Sequence, residues 1–569
     1  MVRSLVSRVA VVAAALFLAV LTVADPTAAD DAGAIPLFPG LAGFGRAVTT
    51  ESPEAQQYFD QGLACCWGFH HEEAVRSFEE AARLDPDCAM AYWGAALASG
   101  PNINNPAMDP EAVEAAWTFL QAALEKSAHC TPTERALIGA LEKRYADPAS
   151  LNAVESSDAE APDAGDRSAL DLAYADAMRE VRKAHPDDAD IAALFAEAMM
   201  VLRPWDLWSK DGEPRPETPE IVATLEECLK LAPNHPGALH YTIHTLEASP
   251  NPERALDAAD RLRHLVPAAG HLMHMPSHID IRVGHYREAM DANRRAVETD
   301  LAYLDDGGIS GFYTIYRAHN YHFLAWAAMF AGQRETAMTA AREMNQQLPL
   351  EMVLAYADWL DAFVAVPVHV MVRFGLWEDL LKEPAPPAEL PLSTAYWHYG
   401  RTVAFAALGR TDEGTAELAA LKEAADNVPE SVLVGNNTGQ TVLDIGVPFA
   451  EGELEYRLGN VDRAFELLRI AVERDDALKY DEPWGWMEPV RHALGALLVE
   501  QGRLEEAEAV YRADLERHPE NGWALHGLAE VLKKTGREEE AAKVDARFRK
   551  AWELADIPIK ASCYCRTKT

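Results

Sequence analysis

His240 and His244 are followed 34 residues later by His274 and His278. Residues i and i+4 share one face of a helix, so each pair presents two imidazoles side by side. The echo places a second chelating pair on a second element. His271, His319 and His322 extend the set to seven histidines. A buried imidazole nitrogen left without a partner costs about 1–3 kcal/mol. One metal ion satisfies several at once, at nitrogen distances of about 2.0–2.1 Å for zinc. These seven are the expected metal ligands. Imidazole suits copper, zinc, iron or nickel, and the divalent affinity order favours Cu(II). Copper or zinc is therefore expected, with iron a further candidate. The same side chains also fit a metal-free polar groove that holds a peptide through imidazole and aromatic contacts. Tyr241, Arg282, Tyr316, Tyr321, His369 and His492 are expected to contact a ligand. Glu247 and Asp280 stand close enough in sequence to move protons.

The elements that carry these residues are marked by their punctuation. Pro86, Pro233 and Pro267 each close a helical hairpin, the last two 34 residues apart. A turn glycine separates the two helices of a unit at Gly284, Gly332, Gly375, Gly409, Gly459, Gly502 and Gly536. In the first unit Phe59, Leu63, Ala74, Phe78 and Ala81 fall at apolar positions, and Phe69 replaces the turn glycine. On these residues the chain resembles the tetratricopeptide repeat family, whose unit is 34 residues, over most of residues 52 to 555. The resemblance implies an all-α, right-handed superhelical solenoid of TPR-like helical hairpins. It specifies the scaffold and hardly any function. In that family positions 2, 5 and 9 of the first helix face the concave groove. With the turn glycine as position 15, His240, His274, His322, His492 and His526 take position 5. His244, His278 and His369 take position 9, and His271 and His319 position 2. Ten of the 19 histidines are thus expected on one surface. Pro276 interrupts the densest segment and is expected to bend its helix. His70 and His71 fall in the first turn and read as surface.

Charge and termini bound the partners. Fifty-one basic against 90 acidic residues give a net charge of −39, which repels phosphate backbones and argues against nucleic acid. Arg3 and Arg8 precede an apolar run from Val9 to Ala24 with small residues after it, the pattern of a Sec-type signal peptide. The protein is expected to be exported, periplasmic or secreted, with no membrane span after cleavage; a retained signal anchor is the alternative. Seven cysteines are an odd number for an oxidising compartment. Cys88 with Cys130, the tail pair with Cys65 and Cys66, or a short bridge within Cys563-Tyr564-Cys565 are all open. The tail pair also fits a soft metal.

The expected organisation is a signal peptide at 1–29, a linker at 30–51, TPR-like repeats at 52–147, and an acidic linker at 148–167. A histidine-rich central block with insertions follows at 168–346, then C-terminal repeats at 347–556 and the Cys-x-Cys tail at 557–569. No nucleotide loop, HExxH or CxxCH motif is present. Three functions fit: an exported solenoid whose histidine-lined groove binds a metal and a peptide, protein or small ligand; a metal-free protein-interaction scaffold; or a copper-dependent oxidative metalloenzyme.

Overall fold

A computed structural model describes residues 35–41, 43–149 and 167–566. The segment expected to be a signal peptide and most of the expected acidic linker lie outside the described residues. Helical hairpins follow one another along the chain: Pro53–Trp67 with His71–Leu84, Ala89–Ala98 with Pro110–Lys126, and so on to Gly522–Lys534 with Glu538–Ala551. The strands among the described residues are Leu433–Val434 and Asn437–Thr438, which pair antiparallel. All seven turn glycines named above adopt positive φ, between 64° and 87°. That conformation strains a side chain with a Cβ, so glycine is the natural occupant. At Gly284 close approach adds to the requirement, since a Cβ there would lie 2.4 Å from the Pro519 carbonyl oxygen.

Each hairpin buries small residues where its helices touch, and each packs on the next. The solenoid also closes on itself. Tyr303 donates its hydroxyl to Glu73 at 2.6 Å, and Phe312 N–H donates to Glu72 at 3.1 Å, which docks the first hairpin onto the central block. From the other end, Trp523 Nε1 donates to the Met329 carbonyl at 2.9 Å and Tyr286 to the Pro519 carbonyl at 3.0 Å. A core shared by residues Ile281 to Phe374 with Met487, Trp523 and Ile557 seals that contact.

Three successive first helices carry the central histidines: Pro236–Leu246, the pair Gly270–His274 and Pro276–Val283, and Thr314–Phe330. Pro276 breaks the middle one at Met275, as its missing N–H requires. Closure overturns one expectation. His240, His244, His271, His274 and His278 do not line an open groove, because the turn Trp67–Phe69 and the segment 480–487 pack against them and all five are buried. His70 is likewise not on the surface. It stacks on Tyr313 with ring centroids 3.8 Å apart, because the first turn is an inter-layer contact rather than a solvated loop. In the tail Cys563 and Cys565 are joined as a disulfide, while Cys65, Cys66, Cys88, Cys130 and Cys228 are free and buried.

Candidate metal centre

The helix Pro236–Leu246 starts where His235 caps the Ala238 N–H and Pro236 occupies the first turn. This sets His240 and His244 on its inner face. His240 Nδ1 donates to the Trp67 carbonyl at 2.6 Å, so its Nε2 keeps a lone pair. That lone pair faces His271 Nε2 at 3.2 Å. Two nitrogens on one tetrahedral zinc, at bonds of about 2.0–2.1 Å, stand about 3.3 Å apart, so this separation suits a shared ion. His244 completes the group, with one ligand atom from each of the three residues within 4.8 Å of the others. His244 Nε2 is buried without a hydrogen-bond partner, a cost that a bound cation removes.

The second group repeats this one turn of the solenoid later. Asn293 donates its amide to the Ala289 carbonyl at 2.8 Å, which fixes its Oδ1 as the atom facing His274 Nδ1 at 2.6 Å. His274 therefore donates from Nδ1 and turns an Nε2 lone pair towards His278 Nε2, 2.7 Å away. That is hydrogen-bond distance; a shared ion would part the two rings by about half an ångström, given bonds of about 2.0–2.1 Å. His319 joins them as the third member. Glu247 links the two groups. Its Oε1 contacts His244 Nδ1 at 2.9 Å and its Oε2 contacts His278 Nδ1 at 2.5 Å. A carboxylate on the distal nitrogen orients a histidine ligand and raises its basicity. Glu482 approaches His278 Nδ1 at 3.5 Å, and His244, Glu247, His278 and Glu482 form a third potential ligand set.

Burial sets the charge state. It holds His240, His271, His274 and His278 well below the usual imidazole range, with neighbouring imidazoles adding to the effect. Burial brings His244 to about 3 and His319 to about 4. These rings are neutral at pH 7, the form that ligates metals. Burial also pushes the Glu247 carboxyl well above its ordinary value, against the pull of Arg282.

The remaining expected residues divide. Tyr241 is buried 5.3 Å from the His240 ring, and Tyr316 meets His271 edge-on at 5.0 Å. Arg282 braces the centre from behind by donating to the Glu247 carbonyl, beneath the rings of Tyr480 and Trp484. His322 stands outside the three groups and meets Phe363 edge-on at 5.2 Å. His369 donates from Nδ1 to Glu488 at 2.8 Å, and shares a cavity with His319 and His322. His492 lies between Arg373 at 2.8 Å and Asp514 at 2.9 Å, in an ion-pair network of the C-terminal repeats. Tyr321 is buried in the shared core. Sequence reasoning missed the Trp67 carbonyl, Phe69, Asn293 and Glu482. Phe69 stacks within 4.5–5.9 Å of His240, His244 and His271.

Residues 498–544 match the tetratricopeptide repeat family model. This chain is a solenoid of tetratricopeptide-like hairpins. Among similar solved structures are yeast Tom70, at 13% identity over 89% of this chain and 92% of that one with a TM-score of 0.28. Another is the human IFIT1 dimer with PPP-AAAA, at 13% identity over 89% and 92% with a TM-score of 0.30. No curated protein matches the chain. Among the described residues no helix is long and apolar enough to cross a membrane.

Proposed function

We propose that this protein is an exported tetratricopeptide-type scaffold that holds transition metal, copper or zinc, in two linked three-histidine sites. His240, His244 and His271 would form one, and His274, His278 and His319 the other. One observation carries the reading. In each site an Nδ1 is fixed by a hydrogen-bond acceptor, Trp67 or Asn293, while the Nε2 lone pair is turned onto another imidazole. Neutral rings, the unpartnered His244 Nε2 and the shared Glu247 fit the same donor set. Three protein ligands leave a fourth position open on zinc or copper. An ion there would supply Lewis acidity, and copper would add one-electron chemistry. The plain interaction scaffold is the second reading, favoured by the repeat match at residues 498–544.

Elemental analysis of the full chain, purified from a periplasm without chelator, tests this. The parent should carry near-stoichiometric copper or zinc, and His240→Ala and His274→Ala should each lose a large share of it. His129→Ala, at an exposed position, should lose none. A folded parent that stays metal-free after reconstitution would leave the scaffold reading.

A further inference from the structure

A cavity of about 100 Å³ adjoins the second histidine site. His319 and Glu482 line it, and both belong to the potential ligand sets above. At roughly 10–15 Å³ per water-sized position, it holds on the order of seven to ten heavy atoms. It reaches solvent at Trp359, which is 46% exposed. Trp359, Phe363 and Tyr396 give it aromatic surface, and neither lysine nor arginine is among its lining residues. Trp484 also lines it, but Arg517 already lies 4.7 Å from the centre of that ring.

Its two carboxylates differ. Asp481 is spent on the protein, accepting from Asn436 N–H at 2.8 Å and from the Asn437 amide at 2.6 Å. Glu482 is not. Its side chain is 6% exposed, one oxygen stands 3.5 Å from His278 Nδ1, and the other is buried near Tyr480 without a well-formed hydrogen bond. Burial, with Glu247 beside it, pushes this carboxyl well above the usual range, a cost to the charged form that a docked cation lifts. A buried carboxylate oxygen without a donor is costly. The ligand that satisfies it must bring a donor, and positive charge suits both the carboxylate and the aromatic faces. The net charge of −39 draws such cations to the protein.

We propose that this cavity binds a small organic amine, an ammonium group on Glu482 with an apolar or aromatic body against Trp359, Phe363 and Tyr396. Its placement beside a metal ion rests on the function proposed above. Its binding does not.

Phenethylamine is a suitable probe, titrated calorimetrically into the full chain in chelator-treated and metal-reconstituted form, with 2-phenylethanol as the neutral control. The amine should bind the chelator-treated protein saturably, and the alcohol at least about tenfold more weakly, the worth of one charged hydrogen bond. Glu482→Gln should weaken amine binding by a similar factor. Trp359→Ala alters an exposed side chain and should weaken it about threefold, so the test survives even if Glu482→Gln fails to fold. No amine binding, equal binding of the alcohol, or unchanged binding in Trp359→Ala overturns the proposal. A protein that binds the amine but no metal keeps this site and loses the metal centre.

Discussion

Asn293 hydrogen-bonds His274 and the Ala289 carbonyl, and so decides which nitrogen of that ring carries the proton. Removing it frees the ring to take the other tautomer and to rotate. Asn293→Leu should therefore weaken metal binding about 10–100-fold, as losses of such orienting partners do, while Asn293→Asp, which keeps an acceptor, should retain most of it. Competition with a chromophoric chelator reads this, and equal affinity in parent and Asn293→Leu would remove Asn293 from the positioning shell. The case also marks what was legible at this scale. The 34-residue echo of His240, His244, His274 and His278 is local information, because helix period and repeat length are properties of the chain. Asn293, the Trp67 carbonyl and Glu482 carry no such signal, since they arrive from other elements, Glu482 from the segment 480–487. His492 makes the same point in reverse. It shares repeat position 5 with His240 and His274 but meets Arg373 and Asp514. Repeat position fixes a face, and the neighbouring layers fix what that face meets.

At the scale of the element, the first hairpin shows a turn adapted to the centre. Where seven later turns use glycine, this one holds Phe69 at φ 54°. A non-glycine residue there costs about 1–3 kcal/mol. The ring offsets it by covering His240, His244 and His271 from a fully enclosed position. Removing a buried phenylalanine costs about 3–5 kcal/mol. Phe69→Gly should thus destabilise the protein by about 2 kcal/mol net, despite restoring the usual turn residue. Urea unfolding measures it, and a gain in stability would mean that the ring contributes less than the strain. The hairpins themselves were readable throughout, because turn glycines and closing prolines act through local backbone geometry. The packing of the Phe69 turn onto a helix about 170 residues away was not, since it depends on how the whole solenoid coils.

Closure of the solenoid has a consequence for the whole molecule: it buries histidines that no metal would hold. Burial lowers His70 to about 3, His71 to about 4 and His518 to about 3, from the usual 6.5. Neither ring nitrogen of His70 has a hydrogen-bond partner. In the unfolded chain each of these rings takes up a proton near pH 6.5. In the folded chain each stays neutral until the pH falls much further. The unfolded state therefore binds more protons between those values, so stability is full above about pH 6.5 and is lost as the pH falls towards 4. From pH 7 to 5 each ring accounts for about 2 kcal/mol of that loss. His70→Phe keeps an aromatic ring on Tyr313 and removes the titration. Urea midpoints of chelator-treated protein at pH 7, 6 and 5 should then fall less steeply in this variant, by about 2 kcal/mol over the range. Parallel curves for parent and variant would mean that His70 is protonated in the folded protein, and that the contact between the first turn and Tyr313 opens to water.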